Sequence, residues 1–184
     1  MRQLMLAFVM LALSPAPAAL ADSHAAGGAA VLTVTGGSES NRGGVDAFRD
    51  AFFTFSEVAF DGAYAFDHAA LQALSQVRIT ANGPSWPGPL ELSGPLLTDV
   101  MAEAGIASDA SLLVTALDGY AAIVTAEDRA ARTWIVALEA DGTPLGLGGR
   151  GPTWILPDTG GAAVAEGEDA NWVWSAYLVS VELE

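Results

Sequence analysis

Apolar and polar positions change their period repeatedly along this chain, and each change marks an element. Leu4 to Leu13 is an unbroken apolar run that stops at Ser14-Pro15. Ala30 to Thr35 (A-V-L-T-V-T) alternates and is β-branched, which predicts the first strand. Gly36 to Gly44 is a polar, glycine-rich loop. Phe48, Phe52, Phe53, Phe55 and Phe60 then fall at partly helical spacing between Val45 and Tyr64, which predicts a short helix or an extended loop lying on the core. Asp67 is placed to cap a helix from His68 to about Leu74, with Leu71 and Leu74 facing inward. Gln76 to Ala81 reads as a strand, and Asn82 to Gly88 as a Gly/Pro-rich turn around Trp86. The clearest helical pattern is Pro95 to Ala104: proline in the first turn, Leu96, Leu97, Val100, Met101 and Ala104 on one face, Asp99 and Glu103 outside, Gly105 as the stop. Leu112–Leu117, Ala121–Thr125, Thr133–Leu138, Thr153–Leu156 and Trp172–Leu183 complete the strands, with Asp118-Gly119 and Asp141-Gly142 as turns. No repeat or linker divides residues 31–184. The pattern predicts one mixed α+β domain, strand-dominated, with two or three short helices.

The opening run differs from the rest. Arg2, the apolar stretch and Ala19-Leu20-Ala21 together have the layout of a cleavable Sec-type signal peptide over residues 1–21, with cleavage before Asp22. The run is about half of the ~20 residues a membrane-spanning helix needs. A flexible tether, Asp22 to Ala30, is expected to follow, and the expected location is periplasmic or secreted, with no membrane insertion after cleavage. No cysteine is available for lipid attachment, and no twin-arginine pair precedes the apolar run.

Composition narrows the chemistry. The formal charge is −15, which becomes −16 once Arg2 is removed, and all seven basic residues are arginines. Such a chain repels nucleic-acid phosphates and anionic lipid surfaces. The absence of cysteine removes disulfides, thiolate nucleophiles, iron–sulfur clusters and zinc–thiolate sites. The two histidines, His24 in the tether and His68 beside its helix cap, make neither a triad nor a metal site. Gly146-Leu147-Gly148-Gly149-Arg150-Gly151 satisfies G-x-G-x-x-G, but Pro152 and a strand-like T-W-I-L follow where a dinucleotide site needs a helix. A loop carrying Arg150 towards a pocket is the better reading. Glu166-Gly167-Glu168-Asp169 lacks the staggered oxygens of a calcium loop and reads as a solvated turn. Trp172 and Trp174 alternate and are expected to share one face of a strand.

The segment Ile79-Thr80-Ala81-Asn82, Trp86, and Ser93-Gly94-Pro95-Leu96-Leu97-Thr98-Asp99-Val100-Met101 resembles the sulfite-oxidase-type molybdopterin-binding domain, specifically its short exported single-domain bacterial members. Further similar segments follow in order: Ala116-Leu117-Asp118-Gly119-Tyr120, Glu139 through Leu145, Gly149-Arg150-Gly151-Pro152 with Leu156-Pro157, and Trp172 to Val181. The resemblance spans Val31 to Leu183, except for a Phe-rich stretch (46–64) that looks like an insertion. It implies a sulfite-oxidase-like fold with a pocket near Asn82, Trp86, Tyr120, Arg150 and Trp154.

The resemblance also fails at an informative place. Catalytic members hold molybdenum through a cysteine thiolate on the strand before the tryptophan turn, and Asn82 stands there in this chain. A carboxamide is a neutral, hard, weak donor. The arginines available to clamp a pterin phosphate are Arg78, Arg150, Arg129 and Arg132. By analogy with the family, folded holoenzymes leave by the twin-arginine route, whereas a Sec signal delivers an unfolded, cofactor-free chain. The expectation is a non-catalytic periplasmic binding, accessory or sensor-partner protein with no cofactor, whose partner is a small molecule or a protein. The alternatives are a molybdopterin-dependent oxidoreductase with non-cysteine ligation and an unrelated small β-rich exported domain.

Overall fold

The structure, a computed structural model, describes residues 27–165 and 171–182. The segment read as a signal peptide, His24, and the acidic run Glu166–Asp169 lie outside the described residues. The first half of the fold contains β1 (Ala30–Thr35), β2 (Arg42–Gly43), α1 (Ala51–Phe55), β3 (Gly62–Asp67), α2 (His68–Ala73), β4 (Gln76–Ala81), β5 (Leu90–Pro95) and α3 (Leu97–Glu103). The second half contains β6 (Leu112–Ala116), β7 (Ala121–Val124), α4 (Ala126–Ala131), β8 (Trp134–Ala137), β9 (Glu139–Ala140), β10 (Thr143–Pro144), β11 (Trp154–Pro157), β12 (Val173–Trp174) and β13 (Ala176–Val181). This is a strand-rich α+β architecture with short helices. No helix among the described residues is long and apolar enough to cross a membrane.

The strands form three sheets, ordered β2-β3-β1-β13-β6-β7, β10-β9-β5-β4 and β12-β11-β8. In the largest, β1 lies parallel to β13, with Thr33 opposite Leu178, so the two ends of the domain close on each other. The small sheet holds the interior together. Each of its two four-residue strands β8 and β11 is buried throughout. Trp134 and Val136 of β8 and Ile155 of β11 enter the main core, beside Leu32, Phe66, Leu97, Met101 and Leu112. Their neighbours Ile135, Ala137, Trp154 and Leu156 enter a second core with Ile79, Ala81 and Leu92. Period-two alternation on strands buried on both faces therefore produces two cores from continuous apolar sequence. Where β5 crosses this layer, a Cβ on Gly94 would run into the Val136 carbonyl, so the crossing requires glycine.

The structure departs from the sequence reading at several elements. Leu90–Pro95 is a strand, and Pro95 ends it instead of opening the helix; Leu96 is the N-cap, and Leu97, Val100 and Met101 are the buried helical positions. A helix that the pattern did not predict, α4, starts from a reciprocal capping box between Thr125 and Asp128. The expected single strand Trp172–Leu183 is two strands in different sheets. Ser175, at φ 52°, is the break between them; its N–H donates to the Arg150 carbonyl at 2.8 Å and its hydroxyl to the Gly151 carbonyl at 2.9 Å. The expected tether is tied at its described end, where the Gly28 N–H donates to Asp67 Oδ2 at 2.6 Å. In the Phe-rich stretch, Phe53 and Phe60 meet edge-on and Arg42 lies against both rings, while it also pairs with Asp50 at 2.6 Å. Phe52 and Phe53 lean on Tyr177, while Phe48 and Phe55 remain 91% and 84% exposed.

Gly94→Ala is expected to destabilise the fold by about 3 kcal/mol or to prevent folding, read from urea denaturation, because a backbone carbonyl cannot move aside cheaply. Asp67 supplies a second test. Its carboxylate accepts the N–H groups of Ala70 and Gly28, which hold it below the usual carboxylate range. A depressed folded value stabilises above the unfolded value of about 3.9, and that contribution is lost as pH falls through the folded one. Between about pH 5 and about pH 3 the wild type should therefore lose more stability than Asp67→Asn, which keeps a capping acceptor without the ionisation.

Candidate functional site

The turn after β4 brings Trp86 back over the second core. Gly83 makes this possible: a Cβ there would stand 2.5 Å from ring atoms of both Trp86 and Trp172. The Trp86 N–H donates to the Gly83 carbonyl at 3.2 Å, and Ser85 takes φ 62° to complete the reversal. Beneath lies Trp154 on β11, fully buried, with the small Ala137 opposite on β8 leaving room for the indole. The ring of Trp86 is 5.2 Å from that of Trp154 and 5.0 Å from that of Trp172, in tilted and edge-on arrangements that aromatic pairs favour.

Arg150 stacks on this cluster. Its guanidinium carbon lies 4.6 Å from the Trp154 centroid and 5.4 Å from that of Trp86, both within cation–π range. The residue is exposed and hangs from the glycine-rich loop between β10 and β11. Gly149 and Gly151 each donate an N–H to the Gly146 carbonyl, Gly148 takes φ 86°, and Ser175 binds the far end. A strand, not a helix, follows this loop, so its glycines do not present a helix N-terminus.

The site is rich in donors that lack acceptors. The indole N–H groups of Trp154 and Trp172 are buried and have no hydrogen-bond partner among the described residues. Orphan donors of this kind cost about 1–3 kcal/mol each and are rare in folded proteins. Arg150 forms no ion pair among the described residues, whereas Arg42 pairs with Asp50 and Arg78 with Glu91. Arg129 is committed elsewhere: its guanidinium donates to the carbonyls of Val124, Ser108 and Ala110, and burial lowers its pKa.

Of the five residues expected at a pocket, Trp86, Arg150 and Trp154 are in mutual contact. Asn82 adjoins them through Gly83 but faces another way. Its N–H donates to Thr159 Oγ1 at 3.1 Å, its side-chain amide to the Gly161 carbonyl at 3.4 Å, and its carbonyl accepts from Val164. Tyr120 lies in the β6–β7 turn, 51% exposed, and makes no ring contact with the tryptophans. The backbone bonds from Leu117 to Ser175 and from Ser175 to Arg150 connect its turn to the arginine loop. Trp172 belongs to the cluster although sequence reasoning did not place it there. The W-V-W alternation predicted a shared face with Trp174, and the register agrees: Val173 enters the main core while Trp174 stands opposite Trp154, on the side where Trp172 packs on Trp86, although Trp174 is 43% exposed. Among the described residues no group of three or more His, Cys, Asp or Glu could hold a metal ion.

Gly83→Ala should separate Trp86 from Trp172 at a cost of about 1–3 kcal/mol. Near-ultraviolet circular dichroism is expected to lose part of its tryptophan signal in this variant, with the far-ultraviolet spectrum retained. An unchanged near-ultraviolet spectrum would contradict the tight ring contact. No protein-family model and no curated protein matches this chain.

Proposed function

We propose that the chain is an exported, non-catalytic small-ligand-binding or accessory protein on a sulfite-oxidase-type molybdopterin-binding fold, acting in the periplasm or outside the cell. The observation that carries this reading is the Trp86–Trp154–Trp172 cluster with Arg150 on its surface and two indole N–H groups lacking acceptors. Clustered aromatics with unsatisfied buried donors are an expense that a merely structural core avoids, and local rules are commonly broken at functional sites.

The donor chemistry supports binding over molybdenum catalysis. Indole, guanidinium and a carboxamide already donating to Gly161 supply no anionic soft ligand, so the residues at this position do not fit a molybdenum centre. Arg78 and Arg129, two of the arginines considered for a phosphate clamp, are engaged by Glu91 and by backbone carbonyls. The signal-peptide layout supports export by the Sec route, which gives a folded cofactor no passage.

Two outcomes test the proposal. Protein purified from its native host should release a small molecule on denaturation, detected by mass spectrometry, and Trp86→Leu should release none. Equal recovery from both proteins, or from neither, would contradict a ligand held on the cluster. Asn82→Cys, exported by its own signal, should contain no molybdenum; a loaded variant would overturn the export argument.

A further inference from the structure

We infer that the indole faces of Trp86 and Trp154, now covered by Arg150, form a platform for a small organic cation of the quaternary-ammonium type, and that Arg150 is its built-in competitor; this rests on the ligand-binding reading above. The structure supplies its own stand-in for the ligand. A guanidinium is a cation, and it sits 4.6 and 5.4 Å from two indole centroids, within the distance at which the ring quadrupole attracts positive charge. What rests on the two indoles is a delocalised, weakly hydrated cation.

Among the described residues no ion pair fastens that cation. Arg150 has no carboxylate partner among the described residues, it is exposed, and it hangs from a loop with glycine at 146, 148, 149 and 151. Swinging the side chain into water therefore breaks the stacking contact and no ion pair. The occupant that replaces it gains in packing. An alkylated ammonium has no N–H groups that must stay hydrated, so its methyl groups pack on indole faces that an arginine can only partly cover. The formal charge of −15 raises the local concentration of cations and lowers that of anions.

The sign of the Arg150 effect is what separates this inference from the more obvious one. If Arg150 were a ligand for an anion, removing it would weaken binding; as a competitor for the indole faces of Trp86 and Trp154, removing it must strengthen binding. Choline chloride titrated into the whole protein at fixed ionic strength, followed by tryptophan fluorescence and calorimetry, reads this directly. Arg150→Ala and Arg150→Gln, both at an exposed site, should bind choline about tenfold more tightly than wild type. Trp86→Leu should show no saturable binding. Equal or weaker choline binding by the Arg150 variants would overturn the inference. Acetate binding by the wild type that disappears in Arg150→Ala would overturn it while leaving a ligand-binding site in place. Binding of neither probe, together with no small molecule released from protein of the native host, would overturn both readings.

Discussion

Burial of β8 and β11 on both faces is the constraint on which the rest of this molecule depends. Four consecutive side chains on each of the two paired strands have no solvent side, so each strand must send alternate residues into different cores. The outer elements then have one arrangement open to them. The six-stranded sheet and the helices α2 and α3 cover one face, while β4 and β5 cover the other. Gly94 follows from the same requirement, since β5 must pass against the backbone of β8 at a distance that no side chain allows. A fold of this kind gains its stability from apolar burial at about 25 cal/mol per Å² and has no covalent crosslink to support it.

The candidate site grows out of the second core. Trp154 belongs to β11 and cannot move without disturbing the central layer, which makes it a fixed floor. Trp86 and Trp172 come from loops, and their contact depends on a bare Cα at Gly83. Arg150 comes from a third segment whose ends are held by Ser175 and by turns closed on Gly146. Rigid floor, packed walls and an exposed cationic cover are thus contributed by elements of decreasing constraint. The two orphan indole donors lie in this sector although the core around them is otherwise apolar.

Much of the fold was legible where one local rule decided the outcome. β1 and β4 occupy the predicted ranges because β-branched alternation needs no distant partner to be recognised. The Asp67 cap and its helix followed from one side chain and its position. Reading failed where distant packing chose between local options. L-E-L-S-G-P became a strand because β4 and β9 flank it, and Pro95, which suits a helix start, serves equally at a strand end. The capping signal of α4 was present as Thr125 and Asp128, but six residues rich in alanine and charge bury nothing and leave no apolar period. Trp172 and Trp174 looked equivalent, and only the break at Ser175 and the ring of Trp86 separate their fates. At the site, the residues named through the family resemblance divide the same way. Trp86, Arg150 and Trp154 converge, Asn82 turns to Gly161, and Tyr120 stays on its hairpin.

The central claim is that this site binds through aromatic faces and donors, with no redox metal. Molybdenum and pterin content of the protein isolated from its native host tests it most directly, by metal analysis and by the fluorescence of the oxidised pterin on one sample. The account predicts that neither is present. Near-stoichiometric molybdenum together with pterin would contradict it and identify an enzyme that ligates its metal without a thiolate.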